Sequence, residues 1–223
     1  MNNKNLKLLV LFVCLAQVGW AQEVMYNTAN ETLMQKDYSK IEGSPYLFKE
    51  WHKGTLYDIK DNATTEAAIN FNGDTGKVVI QEEDKIIELN ENLYNRIEIM
   101  VDGKKEVLVN RITPIDLTYY RAIYQSEMHQ ALEKFESDLK EDDGVGTYGA
   151  SSKRAKFMNK TKFFLFKDGK LHQVNRNNKK LVEFLKSPRL KGYIKKNKLN
   201  LKKDEDLVKA LAYYESSMMK NKK

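Results

Sequence analysis

Short runs of alternating and β-branched residues, separated by turn-forming residues, dominate the first half of the sequence. Asn72-Gly73 opens a turn-rich stretch, and Asp102-Gly103 is a dipeptide favoured in tight hairpins. Connections this short cannot cross over a sheet, so neighbouring strands must run antiparallel. We therefore interpret residues 43 to about 117 as a meandering antiparallel sheet. Its predicted strands cover residues 55–59, 67–71, 77–81, 85–89, 96–101 and 106–112.

Residues 119–141 allow two interpretations. Apolar residues recur here at the spacing of one helical face, beginning with Tyr120, Tyr124 and Met128. The same letters also fit a pair of strands broken at Gln125-Ser126. The spacing alone does not decide between a helix and a strand pair.

The last third of the chain changes from strand patterns to helical patterns. Two apolar runs, KFFLF and LHQV, flank residues 167–170 (Lys-Asp-Gly-Lys) and predict a β-hairpin. From Asn178 the spacing becomes helical, with Ser187 as a helix N-cap and Pro188 at the first helical position. Three acids at 204–206 favour the start of a last helix. We predict two or three short C-terminal helices, and hence an α+β fold.

The N-terminus is typical of a secretory signal peptide. Lys4 and Lys7 precede an apolar run, and small residues lead to the polar Gln22. The run is too short for a typical membrane-spanning helix. We expect residues 1–21 to be a signal peptide cleaved after Ala21 and residues 22–42 to be a partly ordered arm. The alternatives are an uncleaved anchor, a buried core helix, and lipid attachment at Cys14.

Export would determine both the location and the redox chemistry of the mature chain. Cleavage after Ala21 removes Cys14, the single cysteine, so neither disulfides nor thiolate chemistry are expected. Later segments do not approach a membrane span, so no transmembrane segment is expected in the mature chain. The predicted location is periplasmic, outer-membrane-associated or secreted.

The charge of the chain changes sign near its middle. Residues 22–143 contain 14 Lys and Arg against 25 Asp and Glu, whereas residues 144–223 contain 22 against 6. We therefore divide the chain at this point. The predicted parts are an acidic β-rich domain at 43–143, a Gly/Ser linker at 144–156, and a basic hairpin with helices at 157–223.

The glycine-rich stretch has the spacing of a dinucleotide-binding motif but not its context. Gly144, Gly146 and Gly149 follow three acids, whose charges would repel a pyrophosphate. A dinucleotide fingerprint would instead follow an apolar strand and open a helix. We interpret the stretch as a flexible linker and expect no nucleotide cofactor.

No constellation in the sequence predicts catalysis or metal binding. His52, His129 and His172 lie far apart and lack the spacing of metal ligands. Ser151 and Ser152 lie beside Lys153, but not in the Ser-x-x-Lys arrangement of a nucleophile and base. The acidic triplets fall at turns or helix starts, where they are solvated. We predict no cofactor and a non-enzymatic role; a hydrolase whose residues converge only in the fold is the alternative.

The basic part of the chain predicts a surface for anions. Its partners in an exported protein would be anionic envelope polymers, such as lipopolysaccharide phosphates, or lipid headgroups; another envelope protein is a further candidate. Nucleic acid is not expected outside the cell. The alternative is that the basic half docks on the acidic half, or that its lysines only solvate the helices. The candidate anion-binding residues are Lys156, Lys160, Lys162, Lys191, Lys195, Lys196 and Lys198.

Three segments resemble a group of uncharacterised exported proteins of Bacteroidota: GSPYLFKEWHKGTLYDIKDN, KFFLFKDGKLHQV, and LKGYIKKNKLNLKKDEDLVKALAYY. The chain is similar to them in a Gly-Ser-Pro-Tyr opening, a strand meander, a hairpin with Asp-Gly-Lys and a lysine-rich helical end. The resemblance covers most of residues 43–217. It implies an envelope or secreted location and strands in residues 119–141, and it supplies no catalytic residue. We expect an interaction or structural protein of the cell envelope.

Overall fold

The structure is a computed structural model that describes residues 38, 40–83, 85–142 and 154–219. The predicted signal peptide and Cys14 lie outside the described residues, as does most of the predicted arm. The glycine spacing at 144–149 and the Ser151–Lys153 stretch lie outside them as well. Those interpretations therefore stay predictions.

Ten antiparallel strands form a single sheet in the described part of the chain. This confirms the mainly antiparallel, β-rich architecture expected from the turn-punctuated sequence. The strands are β1 (His52–Asp58), β2 (Ala63–Asn72), β3 (Lys77–Glu82), β4 (Lys85–Glu88), β5 (Tyr94–Val101), β6 (Lys104–Val109), β7 (Tyr120–Gln125), β8 (His129–Asp142), β9 (Arg154–Lys167) and β10 (Lys170–Gln173).

The order of the strands departs from a simple meander at one place. Along the sheet the order is β10-β9-β8-β7-β6-β5-β1-β2-β3-β4, so β5 pairs with β1 and not with β4. Ile97 of β5 lies opposite Leu56 of β1, and Ile99 lies opposite Gly54. This register places Ile97, Ile99 and Leu56 on one buried face. β4 has four residues, and none of them reaches full burial.

Two hairpin turns form where the sequence places Asp-Gly. Asp102 and Gly103 have φ values of 49° and 74°, and Asp168 and Gly169 have 51° and 74°. Two successive positive φ values suit the right-handed twist of a two-residue hairpin, and glycine adopts the second one without steric cost. The turns join β5 to β6 and β9 to β10, as predicted.

Residues 119–141 form strands, and the hairpin after them belongs to the same sheet. Ser126 follows β7, and Ser126 Oγ accepts hydrogen bonds from the N–H groups of Met128 and His129 before β8 begins. β8 pairs with β9 along fourteen residues, from His129 opposite Lys167 to Asp142 opposite Arg154. The predicted basic hairpin therefore continues the acidic sheet, and residues 154–156 of the predicted linker lie in β9.

One face of the sheet carries two apolar clusters. The first lies over β1, β2, β3, β5 and β6 and includes Leu56, Ile69 and Ile97. The second lies over β7, β8 and β9, where Ala131 and Leu165 contact the C-terminal helices. The pairing of Leu108 with Arg121, and of Arg121 with Glu133, shows that both clusters occupy the same face. Charged side chains thus separate the two clusters.

The sheet curls strongly enough to bring distant strands together. Ser137 N–H of β8 donates to Gly73 O in the β2–β3 turn at 3.0 Å, and the Phe71 and Phe135 rings lie 6.4 Å apart. Four strands separate β2 from β8 along the sheet. Only a curled sheet can bring them into contact.

Three helices follow the sheet, as the sequence predicts: α1 (Asn178–Leu185), α2 (Pro188–Lys196) and α3 (Asp204–Met219). Asn177 caps α1 by accepting from Lys180 N–H at 2.9 Å. All three contribute buried apolar residues to the cluster over β7, β8 and β9, including Leu181, Leu190 and Leu207. Among the described residues, no helix is long and apolar enough to span a membrane.

Candidate functional site

Three of the seven predicted anion-binding lysines lie on β9 and already have acidic partners. These partners belong to the acidic N-terminal part of the chain. The lysines thus bind the protein's own carboxylates, in agreement with the alternative that the two halves dock on each other. Measured from the lysine nitrogen to a carboxylate oxygen, the pairs are Lys156–Glu42 at 2.6 Å, Lys160–Asp138 at 2.6 Å and Lys162–Glu136 at 2.7 Å.

Glu136 is the centre of this lysine cluster. Its carboxylate lies 3.0 Å from Lys134 Nζ, 3.3 Å from Lys160 Nζ and 2.7 Å from Lys162 Nζ. Burial alone would raise the pKa of Glu136, but the hydrogen bonds from these lysines outweigh burial and lower the pKa to about 2. The three ammonium groups are therefore occupied by a carboxylate that stays charged.

The other four candidate lysines lie on or just after α2. Ser187 Oγ accepts from Leu190 N–H at 3.2 Å, and Pro188 occupies the first turn, so α2 begins as the sequence predicts. Leu190 and Ile194 face the core, whereas the four lysines are exposed. The chain then turns back through Leu199, whose N–H donates to Ile194 O at 3.0 Å.

A groove runs between α1 and α2, with a volume of about 690 Å³. The residues that line it recur at intervals of three and four on each helix, so they share one helical face. Its floor is aliphatic and its rim is basic. The lining residues are Asn178, Lys179, Val182 and Glu183 from α1, and Lys191, Ile194, Lys195, Lys198 and Leu199 from α2 and the turn after it.

The lining of this groove has four lysines against one acid. Lys179, Lys191, Lys195 and Lys198 are exposed, and none forms an ion pair with a described carboxylate. The one acid in the lining, Glu183, lies 3.1 Å from Lys180 Nζ. Residues 178–203 contain ten Lys and Arg and one Glu. The groove therefore lies in a region of uncompensated positive charge.

The seven candidate lysines do not form one site. Neighbouring residues of a strand point to opposite faces of the sheet, and Phe163 lies in the cluster covered by the helices. Lys162 and Lys160 therefore lie on the face away from α2. On α2 itself, Lys196 does not line the groove that Lys195 lines. The structure brings together Lys191, Lys195 and Lys198 and separates the other four from them.

A charge network joins the acidic part of the sheet to the basic C-terminal part. Arg121 of β7 donates to Glu133 Oε2 at 2.6 Å, to Asp204 Oδ2 at 2.8 Å and to Glu106 Oε2 at 3.0 Å. Arg176 donates to Glu133 Oε1 at 2.5 Å and also contacts Asp204. Burial would raise the pKa of Asp204, but hydrogen bonds from the two arginines lower it. The network fixes the start of α3 to the sheet.

Four polar side chains meet beneath α3, and one of them is His129. Glu215 Oε1 lies 2.9 Å from His129 Nδ1 and accepts from Ser126 Oγ at 2.5 Å, while Oε2 accepts from Tyr124 OH at 2.8 Å. Burial would raise the pKa of Glu215, but the three hydrogen bonds lower it. Burial and Glu215 together raise the pKa of Tyr124 to about 12.

This cluster does not have the geometry of a nucleophilic site. A serine nucleophile needs a histidine as its hydrogen-bonded base, with the acid behind the histidine. Here Ser126 and His129 both bind the acid directly, and Ser126 Oγ accepts from two backbone N–H groups. His129 is 3% exposed and Glu215 is 6% exposed. The group joins the β7–β8 turn to α3.

The other two histidines have aromatic neighbours. The His52 ring meets the Phe48 ring edge to face with centroids 5.4 Å apart, and the centroids of the His172 and Phe184 rings lie 5.2 Å apart. Within the described part of the chain, no three His, Cys, Asp or Glu residues are grouped to hold a metal ion.

Comparisons with known proteins add no functional assignment. No protein-family model, curated protein or solved structure matched the chain. The site must therefore be judged from its own geometry.

Sequence reasoning missed the half of the groove that α1 supplies. Lys179, Val182 and Glu183 were not among the candidate residues, although their spacing places them on one helical face. That spacing was the available signal. It does not reveal which face meets α2, because this depends on how Leu181 and Leu185 pack in the core.

Proposed function

We propose that the protein is an exported, non-enzymatic protein of the cell envelope that binds anionic polymers or lipid headgroups through the groove between α1 and α2. The observation that carries the proposal is the contrast between two sets of lysines. Lys156, Lys160 and Lys162 have carboxylate partners, whereas the four lysines of the groove rim have none among the described residues.

Uncompensated lysines on adjacent helix faces favour anions for a simple electrostatic reason. Their positive potentials add, and an anion between them relieves their mutual repulsion. Each lysine near an anionic membrane surface contributes about 1 kcal/mol. The four rim lysines would then supply about 4 kcal/mol, or roughly a thousandfold in affinity. Because the lysines are exposed, salt should weaken the binding strongly.

The envelope location depends on the N-terminal segment and on the resemblance to exported proteins. Its test is the intact mass of the protein recovered from the envelope or the medium of an expressing bacterium. Export with cleavage after Ala21 gives a chain that begins at Gln22. A chain that keeps Met1, found in the cytoplasm, would contradict the location while leaving the groove's chemistry open to measurement.

The test of binding uses the mature chain and vesicles. Vesicles of neutral phosphatidylcholine are compared with vesicles that also contain phosphatidylglycerol, across a salt series, and lipopolysaccharide serves as a third target. The proposal predicts saturable binding to the two anionic targets that fades as salt rises, and no binding to neutral vesicles. Absence of binding to both anionic targets at low salt would overturn it.

Charge-matched variants separate the groove from the general basicity of the chain. The variant K191Q/K195Q/K198Q removes three rim lysines and should weaken binding by about a hundredfold. The variant K49Q/K60Q/K170Q removes the same charge from exposed lysines elsewhere and should weaken it much less. Equal losses in the two variants would mean that net charge alone, and not the groove, drives binding.

A further inference from the structure

We infer that the groove between α1 and α2 holds the hydrocarbon chain of a phosphate-bearing amphiphile, whose head lies among the rim lysines. This inference rests on the proposed function and narrows it. A polyanion needs only the rim, whereas an amphiphile needs the rim and the floor together.

The floor of the groove is hydrocarbon. Val182, Ile194 and Leu199 form it, and Ile194 and Leu199 belong to the core cluster beneath the helices. The stems of Lys179 and Lys191 also contribute methylene groups, since lysines cover apolar surface with their stems while their charged ends stay in water. A purely polar polymer bound at the rim would gain nothing from contact with this aliphatic floor. An alkyl chain laid along it would remove apolar surface from water on both sides.

The rim fits a phosphate better than a carboxylate. Lys179 approaches from α1, while Lys191, Lys195 and Lys198 approach from α2 and the turn after it. A phosphate monoester carries nearly two charges and three acceptor oxygens, so it can bind several ammonium groups at once. A fatty-acid carboxylate offers one charge and two oxygens, and it would leave more of the rim uncompensated.

The size of the groove suits one chain. Its volume of about 690 Å³ lies within the range of small-molecule sites, roughly 300–1,000 Å³. Because the groove is open along one side, each methylene would be only partly buried. We expect affinity to rise about two- to fourfold per added methylene until the floor is covered.

The test is calorimetric titration of the mature chain with soluble ligands, each kept below its micelle concentration. The probes are inorganic phosphate, the octyl, decyl and dodecyl phosphates, dodecanoate, and a neutral dodecyl maltoside. The inference predicts one site per chain, affinity that rises with chain length among the alkyl phosphates, and weaker binding of dodecanoate. The maltoside should bind at least tenfold more weakly than dodecyl phosphate.

Three other results of this titration would overturn parts of the two proposals. Inorganic phosphate that binds as tightly as dodecyl phosphate would overturn the amphiphile and leave the proposed function standing. Maltoside that binds as tightly as dodecyl phosphate would overturn the role of the lysines in both proposals. Dodecanoate that binds more tightly would overturn the phosphate head.

Two variants test the contributions of the floor and of the rim separately. Val182→Thr keeps the shape of the side chain and adds a hydroxyl to the floor, so it should weaken dodecyl phosphate by about threefold and flatten the dependence on chain length. K191Q/K195Q should weaken dodecyl phosphate at least tenfold and preserve the dependence on chain length. As a control, both variants should unfold at a temperature close to that of the wild-type protein, which would show that the fold is intact. If Val182→Thr left the dependence on chain length unchanged, the chain would not lie on this floor.

Discussion

Glu215 of α3 and His129 of β8 lie 2.9 Å apart, between Glu215 Oε1 and His129 Nδ1, although 86 positions separate them in the chain. The imidazole must carry a proton on Nδ1 to donate to this carboxylate. Ser126 and Tyr124 donate to the same carboxylate. A carboxylate shared by three donors beneath a helix is a structural tie, and its role is to hold α3 on the sheet.

The tie predicts a large loss of stability when its acceptor is removed. Glu215→Ala would remove the carboxylate that the buried His129 and the half-buried Ser126 and Tyr124 share, at a cost of about 3–5 kcal/mol in the free energy of unfolding. The control is Ser216→Ala, an exposed neighbour on the same helix, which should change stability by less than about 1 kcal/mol. Urea denaturation measures both. A loss below 1 kcal/mol in Glu215→Ala would show that the tie is not a major support of the fold.

Arg121 makes a second prediction, about the junction between the acidic and basic parts. Arg121→Ala leaves Glu133, Glu106 and Asp204 facing one another with Arg176 as their remaining cation, and should destabilise the protein by about 3 kcal/mol. Its control is Lys104→Ala, which breaks an ion pair at 3.6 Å to Glu205 whose side chains are 77% and 78% exposed. The control should cost less than about 0.5 kcal/mol. Similar losses in the two variants would contradict the account.

The lowered pKa of Glu136 predicts acid sensitivity with a definite sign. The lysines around it lower the pKa of Glu136 to about 2 in the folded chain, from its ordinary value of 4.5. Its contribution is therefore complete above pH 4.5 and is lost as the pH falls towards 2. Glu136→Gln should flatten the dependence of unfolding free energy on pH in this window, which denaturation at several pH values measures. An unchanged pH dependence would mean that Lys134, Lys160 and Lys162 do not stabilise the charged form.

Two glycines should respond to alanine in opposite directions. A Cβ on Gly54 would lie 2.6 Å from Glu98 O and 2.8 Å from Ile69 Cδ1, so Gly54→Ala must push β1 away from β5 or distort the core. We expect a loss of about 1–3 kcal/mol. Gly192 lies in α2 with open space around it, and Gly192→Ala should stabilise the helix by about 0.5–1 kcal/mol. Thermal unfolding distinguishes the two, and a stable Gly54→Ala variant would refute the close approach.

The features that the sequence predicts well are local ones. Asp102-Gly103 and Asp168-Gly169 form hairpin turns, and Ser187 with Pro188 starts a helix, because neighbouring residues determine these conformations. The pairing of β5 with β1 depends on residues far apart in the chain, and no local pattern predicts it. The segment 119–141 carries a helix-like spacing yet forms strands, because Ala131 and Leu132 are buried on opposite faces of the sheet.

The candidate site also depends on contacts between distant residues that the sequence does not reveal. Lys162 and Lys195 have similar sequence surroundings, because each lies within two positions of another lysine in a basic stretch. In the fold, Lys162 lies 2.7 Å from Glu136, which is 26 positions away, and Lys195 lines a groove that α1 completes. The sequence predicts the charge of such residues, but only the fold determines which charges are already paired.

Lys195 and Lys196 provide the most direct measurement of the central claim, that the groove between α1 and α2 is the anion site. Both are exposed, and they are adjacent on α2, but only Lys195 lines the groove. Lys195→Gln and Lys196→Gln change the net charge equally, so binding of each to phosphatidylglycerol-containing vesicles at low salt compares position alone. An anion site in this groove predicts about a fivefold loss of affinity for Lys195→Gln and less than twofold for Lys196→Gln. Equal losses, or a larger loss for Lys196→Gln, would contradict it.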